Sequence, residues 1–354
     1  MIPPAPRGQC GATTSPAHDE PAPLRRVSGP RWRRFLIRSL ATLAGLALVL
    51  WVVNTSVFVD TRENETRLIA HRGVHQIYVG TDRTNDACHA APVAPIRHTF
   101  IENTVPSMRE AFRLGADVVE IDVHLTRDDV FAVFHDWTLD CRTEGRGVTH
   151  ERTYAELTNL DVSYGIDDGS GTYPLRGKGQ GLMPSLEDVL STDLGGRFLV
   201  NFKSRRAREG VALSKLLDDP ARRSRVWAVY GGAPPTREAR RRLPAMRGFD
   251  RGTLRACLLR YFAFGWTSYV PEACRTGVVA VPIDYAPFLW GWPHRFTKRM
   301  EAAGTSVVLL GAYDGSGFSS GIDTEAAFQD VPDRFDGYVW TNRIEIIGPL
   351  LKAN

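Results

Sequence analysis

Glu120 and Asp122 occupy alternate positions in the apolar run Asp117-Val-Val-Glu-Ile-Asp-Val123. Alternate residues of a β-strand share one face, so the two carboxylates project together from a segment too apolar for an exposed edge. Two inward carboxylates repel unless a cation sits between them, and hard oxygen donors of this kind suit Mg2+ or Ca2+. An acid pair matched by Arg or Lys is the competing explanation. His71 and His135 each follow an apolar run directly, Leu68-Ile-Ala70 and Phe131-Ala-Val-Phe134. A lone histidine in such a place is usually a packing residue; two of them flanking an acid pair point to acid–base work. Arg72 adds a permanently charged fork suited to phosphate. Asn201 and Lys203 repeat the alternate spacing in Phe198-Leu-Val-Asn-Phe-Lys203. A lysine there needs an anionic partner, either the acid pair or a bound phosphate. Breaking a phosphate ester requires charge compensation on the nonbridging oxygens, activation of an incoming oxygen and protonation of the leaving alkoxide. A metal with Arg72 and Lys203 would supply the first, and two imidazoles the others.

These residues need strands to position them. Short apolar runs at Leu68–Ala70, Val118–Val123, Phe131–Phe134, Phe198–Phe202, Val226–Tyr230, Gly277–Val281, Ser306–Leu310 and Gly337–Trp340 read as strands. Helical spacing or caps mark Pro106–Leu114, Ser185–Leu190, Val211–Leu217, Thr236–Arg242 and Phe296–Ala303. On this reading His71 follows the first strand and His135 the third. The alternation predicts a parallel α/β fold. It does not choose between a closed barrel and an open sheet, although no G-x-G-x-x-G or Walker loop favours the latter. The stretch Ala245–Trp292 is otherwise unassigned.

With 354 residues, 43% hydrophobic and 24% charged, the chain is of ordinary globular composition. Its formal charge of +4 is local: residues 1–38 hold seven Arg against Asp19 and Glu20, so the remainder is −1. A basic body suited to nucleic acid is absent. Residues 1–30, rich in Pro, Ala, Ser and Gly, read as a disordered tail, part of a basic cytoplasmic segment over 1–38. Ser39–Val59 is an uncharged run of 21 residues, enough to cross a hydrocarbon core of about 30 Å. The arginines before it should stay cytoplasmic, making residues 39–59 a single-pass anchor in the cell membrane and residues 60–354 an extracytoplasmic barrel domain. A cleaved signal peptide is the alternative, disfavoured because Val59-Asp60 offers no small-x-small site. Cys10 falls in the tail. Cys88, Cys141, Cys257 and Cys274 fall outside, where two disulfides can form in any of three connectivities; Cys88–Cys141 with Cys257–Cys274 is expected.

Taken together, Ile69-Ala-His-Arg-Gly73, Glu102-Asn-Thr104, Glu120-Ile-Asp122, His135-Asp-Trp-Thr-Leu-Asp140, Arg142-Thr-Glu-Gly-Arg-Gly147, Tyr154-Ala-Glu-Leu157 and Pro184-Ser-Leu-Glu-Asp188 resemble the glycerophosphodiester phosphodiesterases. The likeness is close over residues 67–205 and thins afterwards. It implies a TIM-like (β/α)8 barrel with its site at the C-terminal strand ends. It also implies hydrolysis of a glycerophosphodiester to an alcohol and glycerol 3-phosphate. Carried over residue by residue, it implies His71 as general base and His135 as general acid. Glu120, Asp122 and Asn201 become the metal site, Arg72 and Lys203 the phosphate contacts, and Glu102 a support for His71 and Arg72.

Three departures stand out. Asn201 replaces the glutamate usual in the family, which removes one negative charge from the metal site. His71 and Glu102 are separated by a long insert that contains Cys88 and His89 and is expected to form a loop over the site. Val307-Val-Leu-Leu-Gly311 lacks the family's Trp-Thr pair, and Asn342 stands where Asp is common. His124 is expected to pack, and His18, His75, His98, His150 and His294 lack a supporting constellation. Two other functions remain open: lysophospholipase D-like hydrolysis of membrane lysolipids, and an anchored binding protein without catalysis.

Overall fold

The computed structural model describes residues 1–2, 31–80, 87–315 and 320–353. The expected disorder of residues 1–30 therefore lies outside the described residues except for Met1 and Ile2, as does Cys10. The chain forms two units, Met1–Val49 and Leu50–Asn354.

The first unit is chiefly the helix α1, which spans Arg31–Asn54 and whose last turn belongs to the second unit. Its Leu- and Ala-rich, proline-free sequence favours the helix. Trp32–Asn54 is a 23-residue candidate span with none of its apolar window buried in protein. At the helical rise per residue it reaches about 34 Å, enough for a hydrocarbon core. The uncharged run of residues 39–59 is helical as far as Asn54, and the helix also takes in Arg33, Arg34 and Arg38.

In the second unit the strands are β1 (Arg67–His71), β2 (Val118–Leu125), β3 (Phe131–Val133), β4 (Arg197–Phe202), β5 (Val226–Gly231), β6 (Gly248–Phe249), β7 (Val278–Pro282), β8 (Ser306–Leu310) and β9 (Tyr338–Thr341). Eight of them run in parallel in the order β6-β5-β4-β2-β1-β9-β8-β7. Adjacent strands β9 and β1 close the two ends of the chain onto each other, giving a nearly closed TIM-like barrel. The predicted strand Phe131–Phe134 differs from expectation. It is not a stave: β3 pairs antiparallel with β2 as a hairpin, because only five residues separate the two strands and a parallel crossover needs a dozen or more. Ala245–Trp292, unassigned from sequence, supplies the two-residue β6, β7 and the helix Arg251–Phe264, whose start is capped by Asp250.

Period-two alternation places the site. The outward residues of the first staves, Leu68, Ala70, Val119, Ile121, Val123, Phe198 and Val200, join the core beneath the helices. The inward ones begin as an apolar layer of Ile69, Val118, Leu199, Ala228 and Trp340. One step toward the C-terminal strand ends, the same faces carry His71, Glu120, Asn201, Tyr230 and Asn342. The register brings His71 beside Glu120, and Asp122 beside Asn201, which is itself beside Tyr230. A polar ring thus sits on an apolar plug.

Both expected disulfides are present, Cys88–Cys141 with Cα atoms 5.6 Å apart and Cys257–Cys274 at 4.8 Å. The second closes a loop of 17 residues, so its removal should cost about 3 kcal/mol by the loop-entropy relation. Denaturant unfolding of Cys257→Ser/Cys274→Ser checks this; an unchanged midpoint would show that the Arg251–Phe264 helix holds the loop without the bond.

Candidate active site

The turn after β1 is held tightly just beyond the buried His71. Arg72 and Gly73 both have positive φ, 56° and 79°, and a Cβ on Gly73 would collide with Ser107. Ser107 belongs to the helix α2 (Val105–Leu114), which is capped by Thr104. Its hydroxyl donates toward the carbonyls of Arg72 and Val74, at 3.2 and 2.8 Å. Positive φ at an arginine is strained, and the helix start holds it there. His71 Nδ1 lies 2.6 Å from Asn342 Oδ1. The Asn342 amide nitrogen donates to Asp323 at 2.7 Å, so Oδ1 is the acceptor and His71 Nδ1 carries the proton. Its Nε2 is left bare, 3.7 Å from Glu120. Burial, with Arg72 next, holds the His71 imidazole well below its ordinary range, which keeps it a neutral base at pH 7.

Glu120 and Asp122 are both fully buried. Glu120 accepts from Tyr230 Oη at 2.8 Å and from the Arg72 amide at 3.3 Å. Asp122 accepts from Asn103 at 3.1 Å and from the Asn201 amide nitrogen at 2.8 Å, with Arg72 Nε at 3.3 Å and Lys203 Nζ at 3.6 Å. Burial raises Asp122, but Lys203, His135 and Arg72 together hold it far down. Glu120 goes the other way: burial and then the Asp122 charge push it up to about 8. The two cations therefore satisfy one carboxylate and leave the second short of positive charge. Two buried carboxylates with an unmet charge, next to an amide, are chemically suited to a hard divalent cation. Asn201 presents nitrogen to Asp122; a half-turn about χ2 would present oxygen instead. Gly231 makes room for that amide, because a Cβ there would strike Asn201 Oδ1.

His135 follows the β3 hairpin, tied in where the Phe134 amide donates to the Asp122 carbonyl at 3.0 Å. Its Nδ1 lies 2.7 Å from Asp136 Oδ1. The other Asp136 oxygen accepts from Arg142 Nε at 3.1 Å, and Arg142 Nη2 pairs with Glu102 at 3.2 Å. Glu102 also faces Arg72 Nη1 at 3.4 Å. One buried relay of alternating charge thus runs from His135 through Asp136, Arg142, Glu102, Arg72 and Asp122 to Lys203. Among the described residues, Glu102, His135 and Asp136 bring ligand atoms within 4.8 Å of one another; the Arg142 guanidinium already supplies the cation between those carboxylates. Burial, then Arg72 and Lys203, push the His135 imidazole well below its ordinary range.

A cavity of about 50 Å³ is lined by His71, Arg72, Glu102 and Asn342 on the barrel side and by Tyr78 and His89 of the insert. His75, which had no supporting constellation in the sequence, also lines it, edge-on to His71 at 5.7 Å. His124 is fully buried, with Nε2 3.3 Å from the His135 carbonyl, and packs as expected.

Residues 71–226 match the model of the glycerophosphoryl diester phosphodiesterase family. Over those residues the chain is similar to that family. A glycerophosphodiester phosphodiesterase of Caldanaerobacter subterraneus is 36% identical over 102 residues, which are 29% of this chain and 39% of that protein. The chain thus aligns with roughly two fifths of the length of this curated relative. The fold extends further. The glycerophosphoryl diester phosphodiesterase domain of an uncharacterized Mycobacterium tuberculosis protein superposes with a TM-score of 0.56 at 15% identity, covering 81% of this chain and 99% of that one. A glycerophosphoryl diester phosphodiesterase from Parabacteroides distasonis superposes at 0.50 and 16%, covering 86% and 90%.

His71, Arg72, Glu102, Glu120, Asp122, Asn201 and Lys203 share one end of the barrel with His135. Tyr230, Asn103 and the Asp136–Arg142 pair were not singled out by sequence reasoning. Arg142 stood inside a quoted motif, and Tyr230 at the inward end of a predicted strand, so position hinted at both; their partners did not show.

Proposed function

We propose that this protein hydrolyses glycerophosphodiesters to an alcohol and glycerol 3-phosphate, with His71 as general base, His135 as general acid and a divalent cation at Glu120 and Asp122. The observation that carries the reading is the pair of differently wired imidazoles. His71 has its Nδ1 proton committed to Asn342 and a bare Nε2; His135 has a carboxylate behind Nδ1 and Nε2 available as the donor.

Arg72 and Lys203 compensate the nonbridging oxygens of a bound diester. His71 Nε2 takes the proton of the attacking oxygen as its bond to phosphorus forms. The bond to the leaving alcohol breaks as His135 donates a proton to the departing oxygen, and the net reaction consumes one water. Burial, then Arg72 and Lys203, push His135 down; the diester's negative charge offsets those two cations and so favours the protonated form. Glu120, Asp122 and the turned amide of Asn201 would hold the cation, which when bound would supply Lewis-acid compensation of the phosphate charge.

The barrel is proposed to sit on the extracytoplasmic side of a cell membrane, anchored through α1. Supporting this are the arginines that precede the span and two disulfides in the barrel unit, which persist in oxidising compartments. The substrate is then a small-molecule or lipid phosphodiester rather than nucleic acid.

The test is a substrate panel on the full chain in detergent with Mg2+, Ca2+ or chelator. Turnover of glycerophosphocholine that chelator abolishes is expected. A preference for lysophosphatidylcholine would shift the activity to the lysophospholipase D type, and turnover of neither would leave an anchored binding protein. In calorimetric metal titration, Asn201→Glu should bind the ion roughly tenfold more tightly by restoring a charged ligand. Equal affinity would show that residue 201 stands outside the metal site.

A further inference from the structure

The insert between β1 and Glu102 brings a third imidazole to the site. His89 stacks on His135 with ring centroids 4.7 Å apart and planes 22° from parallel. On its other face Tyr78 stacks at 4.8 Å and 29°. His89 also lines the cavity next to His71, Arg72 and Glu102, whereas His135 is only 3% exposed and does not line it. A molecule entering the cavity therefore meets His89 before His135.

Two observations argue that this placement is built rather than incidental. The neighbouring Cys88 is bonded to Cys141, and Cys141 precedes Arg142, which holds Asp136 and Glu102. The covalent link thus ties the backbone beside His89 to the backbone beside the relay that orients His135. Second, His89 Nε2 is buried with no hydrogen-bond partner among the described residues. A buried polar atom without a partner costs about 1–3 kcal/mol, so it persists where something else satisfies it. Burial and Arg72 push the His89 imidazole down to about 4, so at pH 7 the ring is neutral and can stack on another imidazole without charge repulsion.

We propose that His89 is a substrate-contacting residue of this site: its ring holds His135 in plane by stacking, and its free imidazole nitrogen hydrogen-bonds the leaving-group side of the phosphodiester. This rests on the phosphodiesterase reading and on His135 as the acid. The two parts of the role separate by substitution. Phenylalanine keeps the stacked ring and removes the nitrogen; glutamine keeps a terminal donor and removes the ring; alanine removes both.

The test measures kcat and KM of the full chain in detergent, with glycerophosphocholine and Mg2+, for the wild type and for His89→Ala, His89→Phe and His89→Gln. His89→Ala should lose about a hundredfold in kcat/KM, the size expected when a reacting group is misplaced by about 1 Å. His89→Phe should recover kcat to within about threefold while KM stays raised, and His89→Gln should recover KM but not kcat. His89→Ala within twofold of an active wild type overturns the proposal. So do Phe and Gln variants that are both folded and both indistinguishable from His89→Ala, which is what a purely structural role predicts. A wild type without turnover on any glycerophosphodiester would instead overturn the underlying reading.

Discussion

His71→Ala is expected to lower glycerophosphodiester turnover by about 10²–10⁴-fold, and His135→Ala by a similar factor, the usual span for a lost general base or acid. The His71 effect should not be a folding effect. His71 packs against Trp340 at 5.0 Å and gives one hydrogen bond to Asn342. Asn342 keeps Asp323 as a partner for its amide nitrogen and backbone amide when that bond is lost. The apolar plug beneath, including Ile69 and Trp340, is untouched. The thermal midpoint should therefore move little while kcat collapses. Because both residues act on one transition state, the double variant should be scarcely slower than either single one. Turnover surviving both substitutions would sink the mechanism. Additive losses would mean that the two imidazoles serve separate steps.

Arg142→Met is the substitution with the largest expected effect on stability. Arg142 is buried and is the cation between two buried carboxylates, Asp136 at 3.1 Å and Glu102 at 3.2 Å. Removing one partner of a buried ion pair leaves charge without compensation, and such losses run to about 3–5 kcal/mol. Arg72 offsets part of this, since it still faces Glu102 at 3.4 Å, but among the described residues the Asp136 side chain keeps only His135. His135 would then be drawn upward by an unscreened carboxylate and lose its fixed orientation, so activity should fall along with stability. Denaturant unfolding of Arg142→Met, alone and with Glu102→Gln, checks the account. The second change removes a stranded charge and should return part of the lost stability. A single-variant loss below about 1 kcal/mol would mean that the relay is not a charge-coupled unit.

Much of the barrel could be read along the chain. Every short apolar run read as a strand became one, because a run bounded by turn residues has few other ways to bury itself. The exception in role was Phe131–Phe134, whose residues are strand-like but whose five-residue connection to β2 permits only a hairpin. β6 escaped notice because two residues carry no periodicity. The site was legible where its residues shared a strand face, as with Glu120 and Asp122 or Asn201 and Lys203, or where they ended a strand, as with His71. It was illegible where partners meet across the barrel. Glu120 and Tyr230 are 110 residues apart, and His71 and Asn342 are 271 apart.

The four groups first singled out, two imidazoles and two carboxylates, were determined by residue type and local spacing alone, since strand alternation is a property of neighbouring residues. What each group touches was decided by tertiary structure. Barrel closure sets β9 beside β1 and thereby chooses the His71 tautomer through Asn342. Stave register sets Tyr230 beside Asn201 and within reach of Glu120. The path of the insert, tied by Cys88 to Cys141, lays His89 on His135. These are long-range contacts between segments whose own sequences fix only their local conformation, so no window of the chain contains them.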